Sequence, residues 1–300
     1  MAKKKKNPGD ERLGVQKTYK LYVGGAFIRS ESGRSFRAPG AKKGEAAVAN
    51  VARASRKDLR AAVSAARKAL GGWADKTAFL RSQILYRAAE MLEGRRAQFV
   101  AEIAAATGAT ERAADAEVTA AVDRAVWYAG WADKLTTVLG SLNPVAAPYF
   151  NFSAIEPTGV VGVVAPDGCP LLGLVSTLFP VIVSGNAAVA IVSGTAPLPA
   201  LTFGEVLATS DFPGGVANLL AGDRAELLPH LAKHMDVDGL LVGTGDPAES
   251  KLASFEGAES LKRVRALRPK DGDWFSHAAQ SPLWIEPFVE VKTIWHPIGV

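Results

Sequence analysis

Residues 156–192 read EPTGVVGVVAPDGCPLLGLVSTLFPVIVSGNAAVAIV. Gly159–Val164 is a continuous apolar run, the pattern of a strand buried on both faces. Pro166 breaks it, Leu171–Ser184 follows as a helix, Gly185-Asn186 supplies a turn, and Ala187–Val192 forms a second strand. A strand, a crossover helix and a strand imply parallel neighbours and a right-handed connection. The alternation continues downstream, with a helix over Pro199–Ser210, a strand over Val216–Leu220, a helix over Ala225–Lys233 and a strand over Asp238–Val242. The expected fold class is therefore α/β, a doubly wound parallel, Rossmann-like sheet. Ligands of such sheets lie beyond the carboxyl ends of the strands, here near Pro166, Ser193 and Gly243.

Upstream, residues 55–140 read as an N-terminal helical layer. Ser55 and Asp58 form a capping-box pattern, Leu59, Ala62, Val63, Ala66 and Leu70 recur at helical spacing, and Gly71-Gly72 is expected to end the run. Further helices are expected over Ala78–Glu93, from Arg95 to Thr107, and as one long helix from Glu111 to Leu139 with Val118, Val122, Val126 and Trp127 inward. Before them, Lys20–Val23 and Ala26–Arg29 flank Gly24-Gly25, a two-residue hairpin turn. After the α/β block, residues 255–300 lack periodicity until Phe288–Trp295 alternates, with Val289, Val291, Thr293 and Trp295 on one face of a strand that has no hairpin mate beside it in sequence.

The composition is that of a globular chain, 48% hydrophobic and 22% charged, which excludes disorder and fibre classes. No run approaches ~18 apolar residues, so no membrane-spanning helix is expected. The first thirty residues lack an apolar core, so no export signal is expected. The net charge of +5 sits in the first twenty residues, which hold seven Lys/Arg and two acids; the other 280 balance at 28 of each sign. Residues 1–19 are read as a disordered basic arm bearing Lys3–Lys6. No basic and aromatic residues interleave elsewhere, and no nucleic-acid partner is expected. One cysteine, Cys169, excludes an internal disulfide and a Cys-rich zinc site, and fits a reducing, cytoplasmic location. His230 and His234 stand four apart on a predicted helix, a metal-like spacing without a third ligand; a surface pair is the plainer reading, and no metal is expected.

The order of motifs resembles the aldehyde dehydrogenase superfamily. YVGGAFIRSESGRSF resembles its N-terminal strand pair, VDRAVWYAGWADKL its long helix with an AGWADK end, and EPTGVVGVVAP its entry into the nucleotide-binding sheet. SGNAAVAIVSGTAPLPAL, FPGGVANLLAG and VDGLLVGTG follow in family order over about residues 20–265, and EPFVEVKTIWHPIG resembles the C-terminal oligomerisation strand. The resemblance implies an NAD-binding-like domain over 20–267 with its hairpin at 20–37, and small oligomerisation strands including 286–300. Between them, residues 268–285 stand as a linker where the family has a whole catalytic domain.

The resemblance also locates what is lost. The family's catalytic cysteine belongs to that domain. Cys169 lies in Pro166-Asp167-Gly168-Cys169-Pro170, where the family has Pro-Trp-Asn-Phe-Pro; Gly168 replaces the oxyanion Asn, and a missing donor of this kind costs ~10²–10³ in rate. Asp167 is expected to raise the Cys169 pKa and leave it inert. Leu267 stands at the position of the family's general-base Glu. Ile191 and Gly194 replace the Lys and Glu that hold the adenosine ribose. Gly243, Thr244 and Gly245 keep a vestige of the phosphate loop; Gly243–Ala248 also fits G-x-G-x-x-A, although Asp246 would repel phosphate and a plain strand-to-helix turn is the simpler reading.

These residues imply a non-catalytic subunit, a pseudoenzyme with no catalytic residues and no cofactor, NAD(P) binding only if the vestigial loop works. It is expected to assemble as a hetero-oligomer with a full-length aldehyde dehydrogenase through Val289, Val291, Thr293 and Trp295. The alternatives are a stand-alone module for a nucleotide or small ligand and, in conflict with the side chains, an NAD(P)-dependent aldehyde oxidoreductase.

Overall fold

A computed structural model of the chain describes residues 17–41 and 48–299. The Lys3–Lys6 arm lies outside the described residues. The strands are β1 (Thr18–Tyr19), β2 (Leu21–Val23), β3 (Ala26–Ile28), β4 (Ser35–Ala38), β5 (Ala49–Ala52), β6 (Ser141–Asn143), β7 (Tyr149–Pro157), β8 (Val160–Val164), β9 (Ala187–Ile191), β10 (Ala217–Leu220), β11 (Gly239–Val242), β12 (Arg263–Ala266) and β13 (Val289–Pro297). The helices are α1 (Arg56–Ala74), α2 (Ala78–Gly94), α3 (Arg96–Thr107), α4 (Glu111–Ala129), α5 (Leu135–Leu139), α6 (Leu172–Ile182), α7 (Pro197–Thr209), α8 (Arg224–Lys233) and α9 (Pro247–Gly257).

The central sheet has the order β12-β11-β8-β9-β10-β2-β3. Its first five strands are parallel, and every residue of β8, β9, β10 and β11 is buried, as the unbroken apolar runs require. Gly24 and Gly25, at φ 62° and 85°, make the hairpin turn that adds β2 and β3 antiparallel at one edge. Helices α6 and α7 pack with α2, α3 and α4, whereas α8 packs with α1 and α9, as right-handed crossovers on the two sides of β8 require. The chain leaves β8 in one direction through β9 and β10, then returns to β11 on its other side, so the order reverses between β8 and β11. Helices α2, α3 and α4 form a second layer over α6 and α7, packed through small faces such as Ala88, Ala114, Ala121 and Ala125.

Several expectations change. Thr18-Tyr19, assigned to the basic arm, pair in parallel with Asn50-Val51. Gly71-Gly72 do not end α1, because Trp73 is fully buried and donates its Nε1 hydrogen to Ile182 O at 2.8 Å, carrying the helix to Ala74. The helix expected over Glu111–Leu139 breaks at Gly130, and Val126 points outward, 41% exposed. β12 is a strand that the Arg-rich sequence 263–266 concealed.

Residues 268–285 do more than link. They run through short 3-10 turns that bury Trp274, Ala279, Trp284 and Ile285 against the domain. Trp274 and Trp284 meet edge to face at 6.0 Å. Arg124 of α4, buried, ties this segment down by donating to Trp274 O (3.0 Å), Ala279 O (2.5 Å) and Gln280 Oε1 (2.9 Å), and to Ser176 Oγ of α6 (2.6 Å).

β13 is also paired. It runs antiparallel to β7 over nine residues, from Val289 opposite Pro157 to Pro297 opposite Tyr149, and β6 completes a three-stranded sheet in the order β13-β7-β6. The strand has no hairpin mate beside it in sequence; its mate within the chain, β7, lies more than a hundred residues earlier. Its entry is fixed by Asn186 Nδ2 donating to Phe288 O at 2.7 Å. None of the helices among the described residues is long and apolar enough to cross a membrane.

Candidate functional site at the carboxyl ends of the sheet

The carboxyl ends of β8, β9 and β10 open on a cleft of about 370 Å³ lined by Phe36, Arg53, Asp167, Gly194, Gly222 and Arg224. β8 delivers Asp167 through Ala165-Pro166, β9 delivers Ser193-Gly194, and β10 leads through Gly222-Asp223 to Arg224, the first residue of α8. The Asp167 carboxylate accepts from Ser193 Oγ (2.9 Å), Gly194 N (3.0 Å) and both terminal nitrogens of Arg224 (3.0 and 3.1 Å). Arg224 also donates to Ala165 O at 3.1 Å and reaches Glu249 Oε1 at 3.4 Å. Burial works to raise the Asp167 pKa, but the hydrogen bonds and charge of Arg224, with Ser193 and Gly194, outweigh it and hold the carboxyl below the usual range.

Ile191 ends β9 fully buried, with an aliphatic side chain that offers no hydrogen bond; Gly194 is exposed and offers only its backbone. Gly243, Thr244 and Gly245 form the turn between β11 and α9. Donors in and after the turn are used internally: Gly243 N donates to Val164 O at 2.9 Å, Asp246 N to Thr244 Oγ1 at 3.3 Å, and Ala248 N to Asp246, the N-cap of α9, at 2.8 Å. A methyl group added at Gly245 would collide with the Arg268 guanidinium, which covers the turn.

Cys169 adopts φ 54° in the left-handed region and is half-buried. Burial first, then the charges of Glu117 and Asp273, push its thiol up to about 12. The expected direction holds, but the source differs, because Asp167 turns away toward Arg224. Glu117 instead faces this loop, accepting from Leu171 N (2.9 Å) and Leu172 N (3.2 Å) at the start of α6. Gly168 brings no side chain, and Leu267, just past β12, packs as a half-buried hydrophobe. Cys169, Gly168 and Leu267 do not bring a nucleophile, an oxyanion donor and a base together among the described residues. His230 and His234 do not gather ligands: among the described residues no group of three metal-binding side chains occurs, and His234 Nδ1 accepts from Asp236 N at 3.2 Å.

Two residues escaped sequence reasoning. Arg224 follows a strand-Gly-Asp pattern at the carboxyl edge of the sheet, a position from which a cation reaches the cleft. Arg124 sits on the same face of α4 as Glu117, Ala121 and Tyr128, a charge on a buried stripe.

The geometry can be set beside known proteins. The profile of the aldehyde dehydrogenase family matches residues 28–267. Benzaldehyde dehydrogenase, mitochondrial, of Antirrhinum majus is 32% identical over 249 residues, covering 82% of this chain and 46% of that protein. The NAD+ complex of an aldehyde dehydrogenase from Bacillus cereus superposes with a TM-score of 0.77 at 27% identity, over 84% of this chain and 52% of the other. PnpE from Pseudomonas sp. WBC-3 does so with 0.80 at 26% identity, over 85% and 52%. The chain spans about half the length of the curated relatives it matches. With a profile match over most of its length, and a doubly wound sheet shared with these enzymes, the chain belongs to the aldehyde dehydrogenase family.

Proposed function

We propose that this chain is a non-catalytic aldehyde dehydrogenase-like subunit that assembles with a full-length aldehyde dehydrogenase and supports or regulates it. The observation that carries the reading is the sheet β13-β7-β6, whose side chains project unused. Of the residues expected to carry association, Val289 is buried within the chain, whereas Val291, Thr293 and Trp295 are exposed; Ile294 of β13, Tyr149 and Phe150 of β7 and Leu142 of β6 are exposed as well, and the outer edge of β13 is unpaired among the described residues. Exposed aromatic and aliphatic residues on both faces of a sheet with an open edge strand mark an association surface. β7 satisfies one edge of β13, so a partner would add to the opposite edge.

The chemistry at the strand ends agrees with a non-catalytic role. Cys169 is no thiolate at neutral pH, and Gly168 and Leu267 bring neither an oxyanion donor nor a base. The residues present also do not fit the family's dinucleotide: Ile191 and Gly194 leave ribose hydroxyls without side-chain partners, at about 1–3 kcal/mol for each polar group left unpaired, and Arg268 covers the vestigial turn of Gly243, Thr244 and Gly245. The reading is therefore a chain that binds no NAD(P) and oxidises no aldehyde by itself.

Co-expression with a full-length aldehyde dehydrogenase from the same organism, followed by native mass spectrometry, tests the assembly. A mixed oligomer is expected, lost in Ile294→Glu/Trp295→Glu, which charges the exposed sheet without removing backbone pairing. A chain that remains a monomer or closed homodimer, or a mixed oligomer indifferent to these substitutions, refutes it. NAD(P)H formation with aldehyde by the pure chain, abolished in Cys169→Ala, refutes the non-catalytic part.

A further inference from the structure

A carboxylate that collects a hydroxyl, a backbone N–H beyond a strand and a forked guanidinium has the partners an anionic ligand takes at the carboxyl edge of a parallel sheet. Here Ser193 Oγ, Gly194 N and Arg224 supply those donors, at 2.9 to 3.1 Å, and the acceptor is Asp167 of the same chain. We propose that Asp167 is an intramolecular ligand that occupies the anion position of this cleft and closes it to anionic ligands, dinucleotides among them. The inference rests on the reading that the chain binds no NAD(P), and it names the group that excludes the cofactor.

Three features support it. First, the donors are already used: an incoming phosphate would have to displace a carboxylate held in a neighbouring loop at high effective concentration. Second, a displaced Asp167 would remain beside the phosphate as a like charge, and Glu249, 3.4 Å from Arg224, would stand behind the same guanidinium. Third, space remains beside the pair, bounded by Phe36, Arg53 and Gly222, so sterics alone do not close the cleft. The loss of polar side chains at Ile191 and Gly194 weakens ribose binding, whereas Asp167 takes up the anion donors at the ends of β8, β9 and β10. Restoring only the former leaves the cleft closed.

Inorganic pyrophosphate is the probe, titrated by calorimetry and by thermal stabilisation of the full chain. The wild type is expected to show no saturable binding at millimolar pyrophosphate. Asp167→Ala frees the three donors and gains saturable binding at least about tenfold tighter than any wild-type binding. Asp167→Asn keeps the volume, removes the charge and gains a smaller part, which serves if the alanine variant folds poorly. Arg224→Ala added to either variant abolishes the gain, and Ile191→Lys/Gly194→Glu alone produces none. No gain in the Asp167 variants, or a gain that survives Arg224→Ala, overturns the inference while leaving the cofactor reading standing. Tight NAD(P) binding by the wild type overturns the cofactor reading itself.

Discussion

Arg124 offers the sharpest quantitative test of what holds residues 268–285 against the domain. Its guanidinium makes four hydrogen bonds, three of them to residues 274–280. Replacing it by Met keeps most of the apolar stem but leaves Trp274 O, Ala279 O and Ser176 Oγ without their donor in a buried setting. Each orphaned group costs about 1–3 kcal/mol. Part of that is returned, because burial pushes the Arg124 pKa down, a sign that its charge is itself costly where it lies. A net loss of about 3 kcal/mol follows, or roughly 6 °C in Tm for a chain of this size. The loss should be local before it is global: hydrogen exchange in peptides spanning 270–288 should rise in Arg124→Met, while β8 and β9 keep their protection. Arg124→Lys should recover only part, since an ammonium cannot reproduce the planar fork. An unchanged Tm, or exchange that rises evenly over the whole domain, would refute the view that Arg124 clamps this segment.

Other outcomes follow from single groups. With its thiol pushed up to about 12, Cys169 should be alkylated by iodoacetamide at pH 8 at least roughly a hundredfold more slowly than a free thiol; parity would show an activated cysteine. Because the Asp167 carboxyl is held below its ordinary value, the folded chain binds fewer protons there than the unfolded one, so this contribution is present above about pH 4 and is lost as pH falls through the lowered pKa; the Tm difference between wild type and Asp167→Asn should shrink on acidification, and a difference that grows would reverse the sign. Ser55→Ala removes the acceptor for Lys57 N and Asp58 N at the start of α1 and should cost about 1 kcal/mol in chemical denaturation; a neutral result would place the α1 boundary elsewhere.

Local pattern was enough for much of the fold. The runs Gly159–Val164 and Ala187–Val192 could be only buried parallel strands, because continuous apolar residues of that length, punctuated by Pro166 and Gly185, leave no solvent face. Gly24-Gly25 wrote its hairpin directly, since both positions need a positive φ, and Ser55 with Asp58 wrote its cap. The replacements expected at Ile191, Gly194, Gly168 and Leu267 rest on motifs read in register with the resembled family. What tertiary structure decided was everything that depends on partners distant in the chain. β13 is paired because β7, with no sequence signal linking the two, lies alongside it. Residues 268–285 are held by long-range contacts to Arg124 and α6, which leave no periodicity to read. Asp167 looked like a neighbour of Cys169 and became the partner of Arg224, 57 residues on, because a strand end directs its loop toward adjoining strands and the opposite charge there outweighs proximity along the backbone.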